Sequence, residues 1–104
     1  QVPGAGAILA AIQTASGVAP IVIGKPERTM FDLAVEKMGV ERAKTATLGD
    51  RLETDIEGGI RAGLKSILVM TGVTTPEILA KSSLQPDLVF DDLDALREEW
   101  ACGY

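Results

Sequence analysis

Three side chains in this sequence have the types and spacing to do chemistry together: Lys25, Asp50 and Asp55. Lys25 follows the apolar run "IVIG" at 21–24. Asp50 and Asp55 stand in "TATLGDRLETDI", residues 45–56. The first follows a glycine at the end of a β-branched run, and the second comes where a helix should begin. Two carboxylates so placed read as half of a site for a hard divalent ion. Mg²⁺ takes carboxylate and water oxygens in octahedral geometry, and one or two carboxylates with a phosphate oxygen satisfy it. A lysine across the crevice would offset the repulsion of the acids and pair with a phosphate. Plainer readings exist for each. A carboxylate in the first turn of a helix is stabilised by the helix dipole without any ligand, and Lys25 alone reads as a solvated lysine. Thr71 could bind a phosphate oxygen, although a Thr-Gly turn after a strand needs no function.

Other chemistries are excluded by composition. The chain of 104 residues has no histidine, which removes Ser-His-Asp and Cys-His catalysis and the common zinc sites from the chain on its own. Cys102 is the single cysteine, so no disulfide framework is available and a reducing compartment suits it. Fifteen acids against ten bases give a net charge of −5, which argues against nucleic acid or anionic lipid as a partner. The Ala- and Ile-rich stretch 4–24 is interrupted by Gln13, Thr14, Ser16, Gly17 and Pro20, a poor membrane span. It also lacks the basic start of a signal peptide, so a cytoplasmic location is expected.

The elements that must position the three residues follow from periodicity. A helix is expected over 5–15, with Ile8, Ile12 and Ala15 on one stripe and Gly17 as its stop. "IVIG" reads as a short buried strand. Pro26 and Glu27 open a helix in which Phe31, Ala34, Val35 and Met38 recur at i, i+3, i+4 and i+7, ending at Gly39. "TATLG" at 45–49 is the next strand. Thr54 and Glu57 form a T-x-x-E capping box for a helix with Ile56 and Ile60 on its stripe. "SILVM" at 66–70 reads as a strand buried on both faces. Thr75-Pro76 starts another helix, and "DLVF" at 87–90 is a fourth strand. Asp91 or Asp92 caps a last helix bearing Leu93, Leu96 and Trp100. Met30, Met38 and Met70 read as core. Arg51, Glu53, Arg61 and the Glu27/Arg28 pair read as solvated charges.

Strands alternate with helices, and three strands recur about every 22 residues, the signature of βαβ units. The expected fold is α/β: a partial Rossmann-like parallel sheet of about four strands with flanking helices. In such sheets ligands bind beyond the C-terminal strand ends, where Lys25, Asp50, Asp55 and Thr71 fall.

At this point the residues resemble a known family. "IGKPERTMFDLAVEKMGV" followed by "ATLGDRLETDIEGGIRAGLKSILVMTGVT" is similar to the C-terminal half of a haloacid dehalogenase (HAD) superfamily phosphatase, in its NagD-like, p-nitrophenylphosphatase and phosphoglycolate phosphatase branch. The resemblance runs from about Pro3 to Leu96. It implies Mg²⁺-dependent hydrolysis of a small phosphorylated metabolite. Lys25 of GKP would neutralise the nucleophile and bind the transferred phosphate, Asp50 would ligate Mg²⁺, and Asp55 would support the site. It divides the chain into a cap-exit helix over 1–20 and βα units over 21–104.

The family nucleophile is the first aspartate of a D-x-D-G-T motif on the central strand, which attacks phosphorus to form an aspartyl phosphate. That motif does not occur here: "FDDLDAL" at 90–96 follows the last strand and opens a helix. The expectation is therefore a core with its central nucleophile strand missing, the other half of the site lying upstream of Gln1, and no turnover by this chain alone. Strand 45–49 would then be an exposed apolar edge, a template for self-association that sedimentation across micromolar concentrations would reveal. The alternative is a non-catalytic α/β half-domain acting through assembly with a partner chain. A receiver-like or nucleotide-binding module is disfavoured, because no glycine loop cradles phosphate after the first strand.

Overall fold

A computed structural model describes residues 3–103. The elements run α1 (Ala5–Ser16), α2 (Thr29–Met38), a short 3-10 turn (Arg42–Lys44), β1 (Ala46–Gly49), a π-type turn (Leu52–Ile56) leading into α3 (Glu57–Arg61), β2 (Lys65–Val69), α4 (Pro76–Lys81), β3 (Leu88–Phe90) and α5 (Leu93–Ala101). The strands form one parallel sheet in the order β1-β2-β3, with Gly49 opposite Leu68 and Leu68 opposite Val89. The α/β class and the alternation of elements are as the periodicity predicts.

The sheet has three strands among the described residues, where about four were expected. The segment 21–24 forms no strand. A strand exists through its ladder partners, and this segment has none: Ile21 is 92% exposed, and Val22 and Ile23 are also exposed. Helix α1 is likewise uncovered. It buries no residue, and Ile8, Leu9 and Ile12 face outward. The radius of gyration, 16.5 Å, exceeds the roughly 13 Å of a compact chain this size, consistent with a helix standing off the body.

The core lies in two clusters. Leu52 and Ile56 pack on Leu68 with Met70, Leu79 and Leu84 around them, and Val35, Ala62 and Leu64 pack with Phe31. The central strand β2 is buried from Ser66 to Val69, as its continuous apolar run requires. The methionine reading holds only for Met70. Met30 and Met38 are exposed, because α2 presents just Val35 and Phe31 to the core. Ile60, Leu93 and Trp100 also leave their expected apolar stripes exposed.

The predicted capping box is not formed. The chain turns helical two residues before Thr54, at Leu52, and the residues at the N-cap positions, Arg51 of the π-type turn and Ile56 of α3, make no side-chain cap hydrogen bond. Ile56 N–H reaches the Arg51 carbonyl at 3.2 Å, the wide i+5 bond of a π turn. The caps at the other helices match the sequence. Thr75 accepts from Ile78 N–H ahead of Pro76, and Asp92 accepts from Ala95 N–H. No helix among the described residues is long and apolar enough to cross a membrane.

Candidate functional site

Asp50 is set by two neighbouring segments. Strand β1 ends at Gly49, so Asp50 projects from the C-terminal end of the sheet. The loop after β2 then holds it twice. Val73 N–H donates to Asp50 Oδ2 at 2.9 Å, and Thr74 N–H donates to the Asp50 carbonyl at 3.2 Å. Gly72 makes the approach possible, since a Cβ there would overlap the Asp50 side chain. Asp50 Oδ1 accepts no hydrogen bond from any described residue.

Asp55 rises from the π-type turn back toward the same strand end. Its Oδ2 accepts from Arg51 N–H at 3.2 Å, and its Oδ1 pairs with Lys25 Nζ at 2.5 Å. The aspartate is buried, whereas Lys25 is 52% exposed and remains reachable from solvent. Gly49 is needed here for the same reason as Gly72: a Cβ would fall inside the Asp55 side chain. The two plainer readings are thus partly right. Asp55 does serve a backbone N–H at its helix start, and it also holds a lysine delivered by a distant loop.

That loop is where the sequence reading missed most. Glu27 and Arg61, read as solvated charges, pair at 2.9 Å, and Arg61 also grips Glu57. The Glu57 hydrogen bond, partly opposed by desolvation, raises the Arg61 pKa. Gly58 lies against Phe31 and the Pro26 carbonyl. The signal available in the sequence was the Gly58-Gly59 pair inside a helix, where glycine costs stability unless something must come close. Gly59 indeed takes the Thr47 methyl of β1. The Lys25–Pro26 peptide bond is cis. Thr71 is exposed at the end of β2.

An apolar concavity lies elsewhere. It holds about 500 Å³ and is lined by Ala46, Ile67, Phe90, Leu96 and Trp100 among others, toward the N-terminal strand ends. Its walls are mainly apolar, and the acids and lysine of interest are not in it. In an open parallel sheet the chemistry belongs at the opposite, C-terminal edge, which is where Lys25, Asp50 and Asp55 stand. Among the described residues no three acids, cysteines or histidines cluster closely enough to enclose a metal ion unaided. The donor set is that of an open site: one carboxylate with a free oxygen, beside a lysine–aspartate pair.

Residues 22–96 match the HAD-hydrolase-like family model. The acid sugar phosphatase of Staphylococcus saprophyticus is 40% identical over 97 residues, which is 93% of this chain and 38% of that protein. The crystal structure of 4-nitrophenylphosphatase from Thermotoga maritima superposes with a TM-score of 0.84 at 46% identity, over 93% of this chain and 38% of that one. A glycerol phosphate phosphatase from Mycobacterium tuberculosis, in complex with magnesium, superposes at 0.77 with 38% identity, over 91% of this chain and 29% of that one. This chain therefore spans well under half the length of the phosphatases it matches. It belongs to the HAD-hydrolase-like family.

Proposed function

We propose that the chain forms the C-terminal part of the catalytic core of a Mg²⁺-dependent phosphatase that hydrolyses small phosphate monoesters through an aspartyl phosphate. The observation carrying this reading is the convergence of Lys25, Asp50 and Asp55 at the end of β1. Asp50 suits the metal-ligand role because Val73 N–H fixes one oxygen and leaves the other for a hard cation. When bound, Mg²⁺ would supply positive charge against the phosphate oxygens. Lys25 would place its ammonium against the same phosphate, neutralising charge as it shifts in the transition state. Asp55 keeps that ammonium in place. The attacking carboxylate would come from a segment outside residues 1–104, so the chain alone would not turn over.

The test is complementation. The chain is mixed with the N-terminal half of a related phosphatase, and p-nitrophenyl phosphate hydrolysis is assayed with Mg²⁺. Turnover is expected in the mixture only, and Asp50→Asn should lower it at least about a hundred-fold. Brisk hydrolysis by the unmixed chain, or full activity with Asp50→Asn, would overturn the reading.

A further inference from the structure

The loop bearing Lys25 lies on the helical segment bearing Asp55 through three consecutive residues. Lys25 Nζ pairs with Asp55 Oδ1. The Pro26 carbonyl lies over Gly58, 3.3 Å from where a Cβ would stand. Glu27 Oε1 accepts from Arg61 Nη1 at 2.9 Å. Residues 25, 26 and 27 thus meet 55, 58 and 61, one ridge of the helical segment at i, i+3 and i+6.

The sheet does not anchor the loop. Ile21 to Ile23 ahead of it are exposed and unpaired in the sheet, the Glu27 N–H bonds back within the loop to the Gly24 carbonyl at 3.0 Å, and behind it α2 packs Phe31 against Gly58. Arg61, by contrast, is itself fixed. Its Nη2 donates to Glu57 Oε1 at 2.5 Å, one turn earlier on the same helix, which aims the guanidinium at Glu27. We infer that Arg61 is a positioning residue: held by Glu57 and holding Glu27, it keeps Lys25 within reach of Asp55. What Lys25 then does rests on the phosphatase reading, but where it is held does not.

The test reads Lys25 directly, by the rate at which acetic anhydride acylates each lysine of the purified chain, resolved by mass spectrometry. A released Lys25 reacts faster. Glu27→Gln and Arg61→Gln should each speed Lys25 by about two- to five-fold, the range for loss of an exposed ion pair, with Lys81 unchanged as the internal reference. Asp55→Asn sets the fully released rate. The two variants remove charges of opposite sign. A simple charge effect on Lys25 would move its rate in opposite directions, whereas loss of a tether moves it the same way. Opposite movement, or none, overturns the inference. Should Arg61→Gln unfold the chain, all lysines accelerate together. Arg61→Lys, which keeps the charge but cannot grip two carboxylates as a planar fork does, is then read with the same expectation. Failure of complementation would leave these rates untouched, so the two claims fall separately.

Discussion

Each end of the sheet holds an aspartate beside a lysine, and the two ends are built differently. At the N-terminal ends of β2 and β3 the polar atoms form a closed circuit. Asp87 Oδ2 accepts from Ser66 N–H at 2.8 Å and from Ser66 Oγ at 3.0 Å, and Asp87 Oδ1 accepts from Lys65 at 2.9 Å. The Asp87 N–H returns a bond to Ser66 Oγ at 3.1 Å. Ser66 is fully buried, and the circuit clasps the strand entering β3 to the start of β2. At the C-terminal end the set is open: Asp55 is engaged on both oxygens, but Asp50 keeps one unengaged. A saturated carboxylate holds strands together and has nothing left for a ligand. An unsaturated one beside a lysine can receive a cation and a phosphate. Residue types alone would not separate the two ends; satisfaction of their hydrogen bonds does.

The sharpest way to break the open end is steric. In Gly49→Ala the new methyl would occupy the space of the Asp55 side chain, on a strand residue pinned opposite Leu68. Asp55 would have to leave Lys25 and the Arg51 N–H. Overpacking commonly costs about 1–3 kcal/mol, and displacing a buried, paired carboxylate adds to it, so a loss of about 3 kcal/mol is expected in urea unfolding. A loss below about 1 kcal/mol would mean that the close approach at Gly49 is not needed.

The contrast itself is sharpened by removing the carboxylate from each end in turn. Asp87→Ala takes the acceptor from the buried Ser66 N–H and from the Ser66 O–H, although the residue-87 N–H still reaches Ser66 Oγ, and should cost about 2 kcal/mol. Asp50→Ala removes one hydrogen bond from a half-buried position and should cost less, about 1 kcal/mol. Equal losses at the two ends, measured by denaturant midpoint under matched conditions, would erase the distinction between a structural clasp and a receptive site.

The legibility of this molecule in its sequence follows the range of the interactions. Local signals read well: the Thr75-Pro76 helix start, the Asp92 cap and the buried run of β2 all appear where spacing places them. So did the end of β1 at Gly49-Asp50. Signals that depend on what a segment packs against read poorly. "IVIG" has the residues of a buried strand but lacks a ladder partner, and Met30 and Met38 fit an apolar stripe with nothing over it. The Thr54 capping box lost to a different local solution, in which Asp55 itself serves the Arg51 N–H and the turn widens to π. Lys25, Asp50 and Asp55 could be named as candidates, but their pairing could not. The Lys25–Asp55 contact spans 30 residues and the Arg61–Glu27 contact 34, with no periodicity to announce either.

The smallest expected effect separates the two ends by pH. Hydrogen bonds from Lys65 first, then from the Ser66 backbone, hold the Asp87 carboxyl below the usual carboxylate range, against a smaller opposing desolvation. A carboxyl whose pKa falls on folding adds stability above its unfolded value, near 3.9, and that stability is lost as pH drops through the folded value. The advantage of the native protein over Asp87→Asn should therefore be full at neutral pH and shrink as pH falls below about 4. Asp87 is more than a third exposed, so solvent screens the pair and the pH-dependent part should be well below the loss seen in Asp87→Ala. Asp32, held low by its Arg28 hydrogen bond, titrates in the same sense in both proteins and cancels from the difference. Urea midpoints for the two proteins from pH 3 to 7, the range that brackets ordinary carboxyl titration, give the comparison. A gap that stays constant across that range would mean the clasp works through shape and hydrogen-bond count alone, with no contribution from the charge on Asp87.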